Sequence, residues 1–305
     1  MRNGEKKIMN VITIHSDARL GEGPRWRADT KMFYWTDILA GTIFAYDPAT
    51  NENKPIFQCE YETGAFLFTR RYDLLLFTRK GLLLSRWSAD GYTQPICLFE
   101  MDLPRDERFN DAACDKTGRI FAGTLKESHS GGNLYVFSRK RTPDILLSDL
   151  KISNGMGFSP DSNVFYHTDS GDRKITAYQY DMNTGAIHTP RVLYTVEKEN
   201  AVPDGMTVDA NGDIWTALWG GSCIRKISPQ GTLLCEYSFP AQQVSSLCFG
   251  GGKLEHLFIT SAAVGDAESG TDAEGQYRGG NCYFCENVGK GSPDFFIDDN
   301  ILTGR

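Results

Sequence analysis

Four oxygen-bearing side chains occupy one place in a repeat. Glu22 in LGEGPRW, Asn110 in RFNDAAC, Asn154 in ISNGMGF and Asp204 in VPDGMTV each stand eleven residues before an aromatic residue, respectively Phe33, Phe121, Phe165 and Trp215. The intervening positions also match. Trp26, Cys114, Phe158 and Val208 share one slot, and Met32, Ile120, Val164 and Ile214 another. Equivalent positions in a radial repeat lie on a ring at one height. If the slot faces a central channel, two carboxylates and two carboxamides converge there. Burying two like charges together is costly unless something neutralises them. A hard divalent cation does so: Ca²⁺, which takes Asp, Glu and Asn oxygens plus water, is the first expectation. Mn²⁺ and Fe²⁺ also suit these ligand types, and Zn²⁺ is less expected without His or Cys.

Taken singly, Asn-Gly, Asp-Gly and Gly-Glu-Gly are ordinary turn chemistry. Four in one register, each leading into a strand, argue for a site. The remaining repeats carry no acid or amide there (Ala65 or Phe66, and Ser245 or Ser246). That asymmetry favours a site over a structural feature of the repeat. Arg108 stands two residues before Asn110, and in an extended segment residues two apart point the same way. A guanidinium there suits an oxygen-rich or developing negative group on a ligand.

The elements that must hold these residues read as short strands. Six cores recur: MFYWTD, LLLFTR, RIFAGT, VFYHTD, DIWTAL and HLFITS, starting at residues 32, 74, 119, 164, 213 and 256, hence 42, 45, 45, 49 and 43 apart. Each is followed by a turn and a second short strand, and no stretch sustains helical periodicity. A period of about 40–50 residues built from short strands predicts an all-β, six-bladed β-propeller with the metal site in its central channel. The segment NVITIH is a candidate strand to complete the last blade. No linker-like composition divides the chain, so residues 1–305 are expected to form one domain.

The chain has 305 residues, with 40% apolar residues, 31 glycines and 12% aromatics, which suits many strands and turns. Its net charge is −7 and no basic stripe occurs, which argues against nucleic-acid and anionic-membrane partners. The N-terminus lacks the apolar core of a signal peptide, and no apolar run approaches the ~20 residues of a membrane span, so a cytoplasmic location is expected. The eight cysteines are scattered; Cys282 and Cys285 form a lone CxxC whose strand alternation sends the two thiols to opposite faces. There is no GxSxG elbow, HExxH or Walker loop. His167, inside FYHTD, reads as a packing histidine rather than a base. Metal-assisted hydrolysis remains open where a Ser-His-Asp triad is poorly supported. The polar segment GTLKESHSGGN reads as a rim loop.

In order along the chain, LGEGPRW, RFNDAACDKTGRIFAGT, ISNGMGFSPDSNVFYHTDS, PDGMTVDANGDIWTALWGG and CFGGG resemble the senescence marker protein/gluconolactonase/luciferin-regenerating-enzyme-like family, which includes regucalcin and bacterial sugar lactonases. The resemblance implies a six-bladed propeller with one divalent metal in the channel, held by Glu22, Asn154 and Asp204. It implies that Arg108 and Asn110 hold a sugar lactone. Family members are associated with Ca²⁺, Zn²⁺, Mn²⁺, Mg²⁺ or Fe²⁺. Ala112 stands where regucalcin-like members have Gly, and Ser128, with Glu127 beside it, stands where they have an acid that contacts sugar hydroxyls. Glu127 and Ser128 are therefore substrate-binding candidates beside Arg108 and Asn110.

The expected function is hydrolysis of a small-molecule aldonolactone to its aldonic acid, with Asp204 as general base. The oligomeric state is not legible. Two alternatives are a calcium-dependent esterase acting on phosphotriesters or other lactones and a non-enzymatic calcium-binding propeller. A third, an interaction propeller of the YWTD type, has only YWTD and YHTD to support it, and gives no reason to align Glu22, Asn154 and Asp204.

Overall fold

In the computed structural model the described residues are 5–7, 9–101, 103–127, 130–138, 142–265 and 279–303. The six repeats form six blades of four antiparallel strands, and in each the first strand of the repeat is innermost. Blade 1 runs Gly21–Arg27, Met32–Asp37, Thr42–Asp47 and Glu52–Gln58. The inner strands of blades 2 to 6 are Thr63–Phe68, Glu107–Cys114, Ser153–Phe158, Val202–Val208 and Val244–Gly250. Each inner strand packs on the next, and the last packs on the first, so the ring closes. This is the expected six-bladed β-propeller. The one helix among the described residues is Asp299–Thr303. Among the described residues, no helix is long and apolar enough to cross a membrane.

The two chain ends meet in blade 6. Val11–Ile14 pairs antiparallel with Cys282–Cys285 and supplies the outer strand that the last repeat lacks. Glu5–Lys7 adds a parallel fifth strand to the outer edge of blade 5. Closure hides the sheet edges an open array would expose.

Adjacent blades are joined by rings in contact. Phe33 stacks on Phe258 of blade 6 at 5.0 Å between centroids, and Tyr34 meets Phe68 of blade 2 at 5.2 Å. Phe77 meets Phe109 across blades 2 and 3, Phe121 meets Phe165 across blades 3 and 4, and Trp215 meets Phe249 across blades 5 and 6. Such pairs contribute about 0.5–1.5 kcal/mol beyond their area burial. Between blades 4 and 5 the contact is formed instead by Tyr166, Met206, Val208 and Ile214. The aromatic positions that mark the repeat in the sequence are thus the inter-blade glue.

Every inner strand carries a register break near its start: between Glu22 and Arg25, Thr63 and Ala65, Phe109 and Asp111, Asn154 and Met156, Pro203 and Met206, and Val244 and Ser246. Glu22 and Asn154 lie directly opposite Thr36 and Thr168. Asn110 and Asp204 fall inside the break, one residue later in register. In blade 2 the break falls on Gly64, ahead of Ala65 and Phe66. The Asp-Gly and Asn-Gly pairs are therefore parts of bulged strands, not of turns, and a bulge re-aims the side chain it carries.

Phe33 is fully buried between blades 6 and 1, where the ring closes. Phe33→Ala is expected to cost about 3–5 kcal/mol by leaving a cavity. A guanidinium melt should show a clear drop in midpoint; an unchanged midpoint would remove this contact from the closure.

Candidate active site in the channel

Glu22, Asn154 and Asp204 converge in the channel and are buried, at 7%, 6% and 4% exposure. Two of them are delivered by a shared device. Asp37, the acid of YWTD, accepts the N–H groups of Arg19 and Leu20 at 2.9 and 3.1 Å, and so fixes the chain just before Glu22. Asp169, the acid of YHTD, accepts those of Lys151 and Ile152 at 3.1 and 3.2 Å, just before Asn154. The tetrapeptides thus set the approach to the two site residues.

Glycines let the strands crowd together. Gly23 has φ +53 and donates its N–H to Glu22 Oε2 at 3.0 Å. A Cβ on Gly155 would lie 2.4 Å from the Asp204 carbonyl oxygen. Asn154 Nδ2 donates to Asp204 Oδ1 and, at 3.1 Å, to Ser170 Oγ, while its Oδ1 accepts Gly155 N–H at 3.1 Å. Ser170 Oγ donates to the Pro203 carbonyl at 2.6 Å. Ser170 therefore ties the Asn154 strand to the Asp204 strand. Sequence alone does not single it out, because its partners come from another blade.

Asp111 also enters the group. It follows Asn110 in the same strand, and its charge acts on both Glu22 and Asp204. Burial, then the charges of Asp204 and Asp111, hold the Glu22 carboxyl well above its usual range. Burial first and Asp111 second do the same to Asp204. Burial pushes Asp111 up to about 6, against the pull of Arg25. Three carboxyl groups thus share a channel with too little positive charge to match them.

Arg108 and Asn110 lie toward the mouth formed by the starts of the inner strands. Arg108 Nη1 donates to Asn110 Oδ1 at 2.9 Å, and Asn110 Nδ2 donates to the Ser153 carbonyl at 3.0 Å. Burial, with the Arg79 charge adding to it, lowers the Arg108 guanidinium from its ordinary value. Glu127 is exposed and paired with Arg79, which also contacts Glu62 at 3.3 Å and donates to the Arg105 carbonyl at 2.7 Å. The strand of RIFAGT continues to Lys126, so Glu127 begins the rim loop. Ser128 lies outside the described residues. Arg79 and Glu62 join the mouth through the packing of blade 2 on blade 3, a relation with no sequence signal.

The other mouth is different. A cavity of about 640 Å³ lies beyond the carboxyls, lined by residues such as Arg25, Met156, Met206 and Ser246. The C-terminal segment crosses it, from a bridge between Gly291 and Asp209 to one between Ile297 and Thr69. Asp294 on this segment stands 3.9 Å from Arg25, whose Nη2 donates to the Ala112 carbonyl at 2.5 Å. Among the described residues, the polar approach that the C-terminal segment does not cross is the side of Arg108, Arg79 and Glu62.

Among the described residues, no three His, Cys, Asp or Glu side chains form a metal-binding cluster by themselves. Glu22, Asp204 and the Asn154 carboxamide do make an all-oxygen donor set. Its buried, unmatched negative charge suits a hard divalent cation. The carboxamide must turn to present Oδ1, and which way such a group points is an assignment from its hydrogen bonds.

The SMP-30/Gluconolactonase/LRE-like family profile matches residues 20–263, and the chain belongs to this family of sugar lactonases and their relatives. It is 34% identical over 295 residues to the pentonolactonase XacC of Haloferax volcanii, covering 96% of this chain and 94% of that protein. Its fold is similar to the luciferin-regenerating enzyme, with TM-score 0.86 and 26% identity over 95% of this chain and 99% of that one. The calcium-binding protein regucalcin of Agrobacterium tumefaciens has the same fold, with TM-score 0.86 and 22% identity over 97% of this chain and 100% of that one.

The folded chain holds Asp111 protonated up to about pH 6, against an ordinary value of 3.8. The folded form then binds more protons than the unfolded form between these values. The stability that results is complete below about pH 4 and is lost as pH rises through about 6. In chelator-treated protein, Asp111→Asn is expected to shrink the fall in melting temperature between about pH 4.5 and about pH 7.5. Equal falls in variant and wild type would show that Asp111 does not carry this linkage.

Proposed function

We propose that the protein is a divalent-cation-dependent lactonase that opens a sugar lactone to its aldonic acid. The observation that carries this reading is the set of carboxyls Glu22 and Asp204, both buried, and half-buried Asp111, within electrostatic reach of one another and of Arg108, which pairs with Asn110. Glu22, Asp204 and Asn154 would hold the cation. Ca²⁺ is the first choice, in keeping with the calcium-binding propeller of the same fold. When bound, the cation would polarise the lactone carbonyl and stabilise negative charge on its oxygen.

The chain's own groups supply the rest. Arg108 orients the lactone through its oxygens, with Asn110 beside it; Asn110 is steadied by the Ser153 carbonyl. One carboxylate oxygen of Asp204 would face the cation, which leaves the other to take a proton from water. Water adds to the carbonyl carbon, the ring C–O bond breaks, and the proton passes to the leaving ring oxygen. The new carboxylic acid then ionises, so each turnover releases one acid equivalent. Glu127 and Arg79 form the rim that would meet the sugar hydroxyls, with Ser128 next in the chain. The pentonolactonase relative makes five-carbon lactones the first substrates to try.

Acid release should be measured with xylono-, arabinono-, galactono- and gluconolactone, after chelation and after return of single cations. Turnover that disappears with chelator and returns with one cation is expected; a rate indifferent to chelation would overturn the cation's part. Asp204→Asn is expected to lower kcat by about 10²–10⁴-fold in folded protein. A near-normal kcat would remove Asp204 as the base. Arg79→Met, which frees Glu127, is expected to raise KM several-fold with kcat little changed; an unaltered KM across the panel would take the rim out of sugar recognition.

A further inference from the structure

Ser153 stands between the two halves of the proposed site. It directly precedes Asn154, and its carbonyl accepts Asn110 Nδ2 at 3.0 Å. Its hydroxyl lies 2.8 Å from His167 Nε2. Ser153 is 0% and His167 2% exposed, so the pair is closed off from the channel. A Ser–His contact of this kind is not a nucleophile and its base, because neither reaches a substrate. Nor is His167 mere filling. Its ring stacks on Phe165 at 6.3 Å between centroids, yet its nitrogen is aimed at the Ser153 hydroxyl.

The neighbouring blade makes room for this contact. A Cβ on Gly123 of blade 3 would lie 2.0 Å from Ser153 Oγ. Only a residue without a side chain leaves space there for the hydroxyl. Ser153 and Asn154 pair with Asp169 and Thr168, and the ladder breaks directly after them, so side-chain contacts add to what holds this end of the strand.

We propose that His167 is a positioning residue. By engaging the Ser153 hydroxyl it fixes the one peptide that presents Asn154 to the cation and accepts Asn110 from the lactone-holding arm. The spacing between the two halves is thereby set. This rests on the lactonase reading for the roles of Asn154 and Asn110. Buried partners of this kind, one step behind the ligands, typically change metal affinity by about 10–100-fold when removed.

The test uses full-length His167→Phe, which keeps a ring against Phe165 and removes the nitrogen. Three readouts are taken: Ca²⁺ affinity by calorimetry, KM and kcat for the best lactone, and hydrogen exchange of the Asn110 side-chain amide by NMR. The variant is expected to bind Ca²⁺ about tenfold more weakly, to raise KM, and to lose protection at the Asn110 amide. Ser153→Ala should give the same changes, and the double variant should be no worse than either single one. His167→Gln, which restores an acceptor, should recover part of the affinity. A His167→Phe protein that only melts earlier, with Ca²⁺ affinity, KM and Asn110 protection intact, would make His167 a packing residue and overturn the proposal. Should His167→Phe fail to fold, Ser153→Ala carries the same test. The Asn110 readout needs neither cation nor substrate. Loss of its protection in the variant, with a wild-type protein that opens no lactone under any cation, would therefore sink the lactonase reading and leave the positioning contact standing.

Discussion

Three carboxyl groups held in one channel, with too little positive charge from Arg25 and Arg108 to match them, are the constraint around which this molecule is arranged. Like charges in a buried space push each other's protonation upward, and Glu22 and Asp204 both show that push on top of their burial, Asp111 acting on each. A flexible chain would relieve it by moving the groups apart. Here each carboxyl sits on a bulged inner strand of a closed ring, and relief would mean opening the ring. The aromatic contacts between blades and the outer strand donated by Val11–Ile14 are what make that opening costly.

The same rigidity separates two environments along one axis. Toward the starts of the inner strands, Arg108, Arg79, Glu62 and Glu127 form a charged, partly exposed mouth. Toward their ends, the C-terminal segment lies across the cavity and Asp294 faces Arg25. A polar, uncharged sugar lactone suits the first mouth, where donors and acceptors alternate over a short distance.

Much of the fold was legible because strand patterning is local. The six cores, their spacing and the aromatic that marks each of them follow from short-range alternation and turn chemistry. The slot holding Glu22, Asn110, Asn154 and Asp204 was legible for the same reason. The finer register was not. In blades 3 and 5 the break opens one residue before the slot and in blades 1 and 4 at the slot itself, so the gap-free spacing of eleven conceals two positions on the ladder. The turn chemistry suggested by Asn-Gly and Asp-Gly proved to be bulge chemistry inside strands. YWTD and YHTD, which pointed toward an interaction propeller, instead carry the acids that anchor the approach to Glu22 and Asn154.

By itself, then, the sequence determined the number of blades, the residues that mark the channel and the oxygen-only character of its donors, since each of these is written in neighbouring residues. Tertiary structure alone decided that Asp111 joins the carboxyls, that Ser170 and Ser153 bridge separate blades, and that Arg79 rather than solvent receives Glu127. The physical reason is closure. Distances between blades are set by how six twisted sheets pack into one ring, and no run of residues within a blade records which side chain of the next blade it will meet.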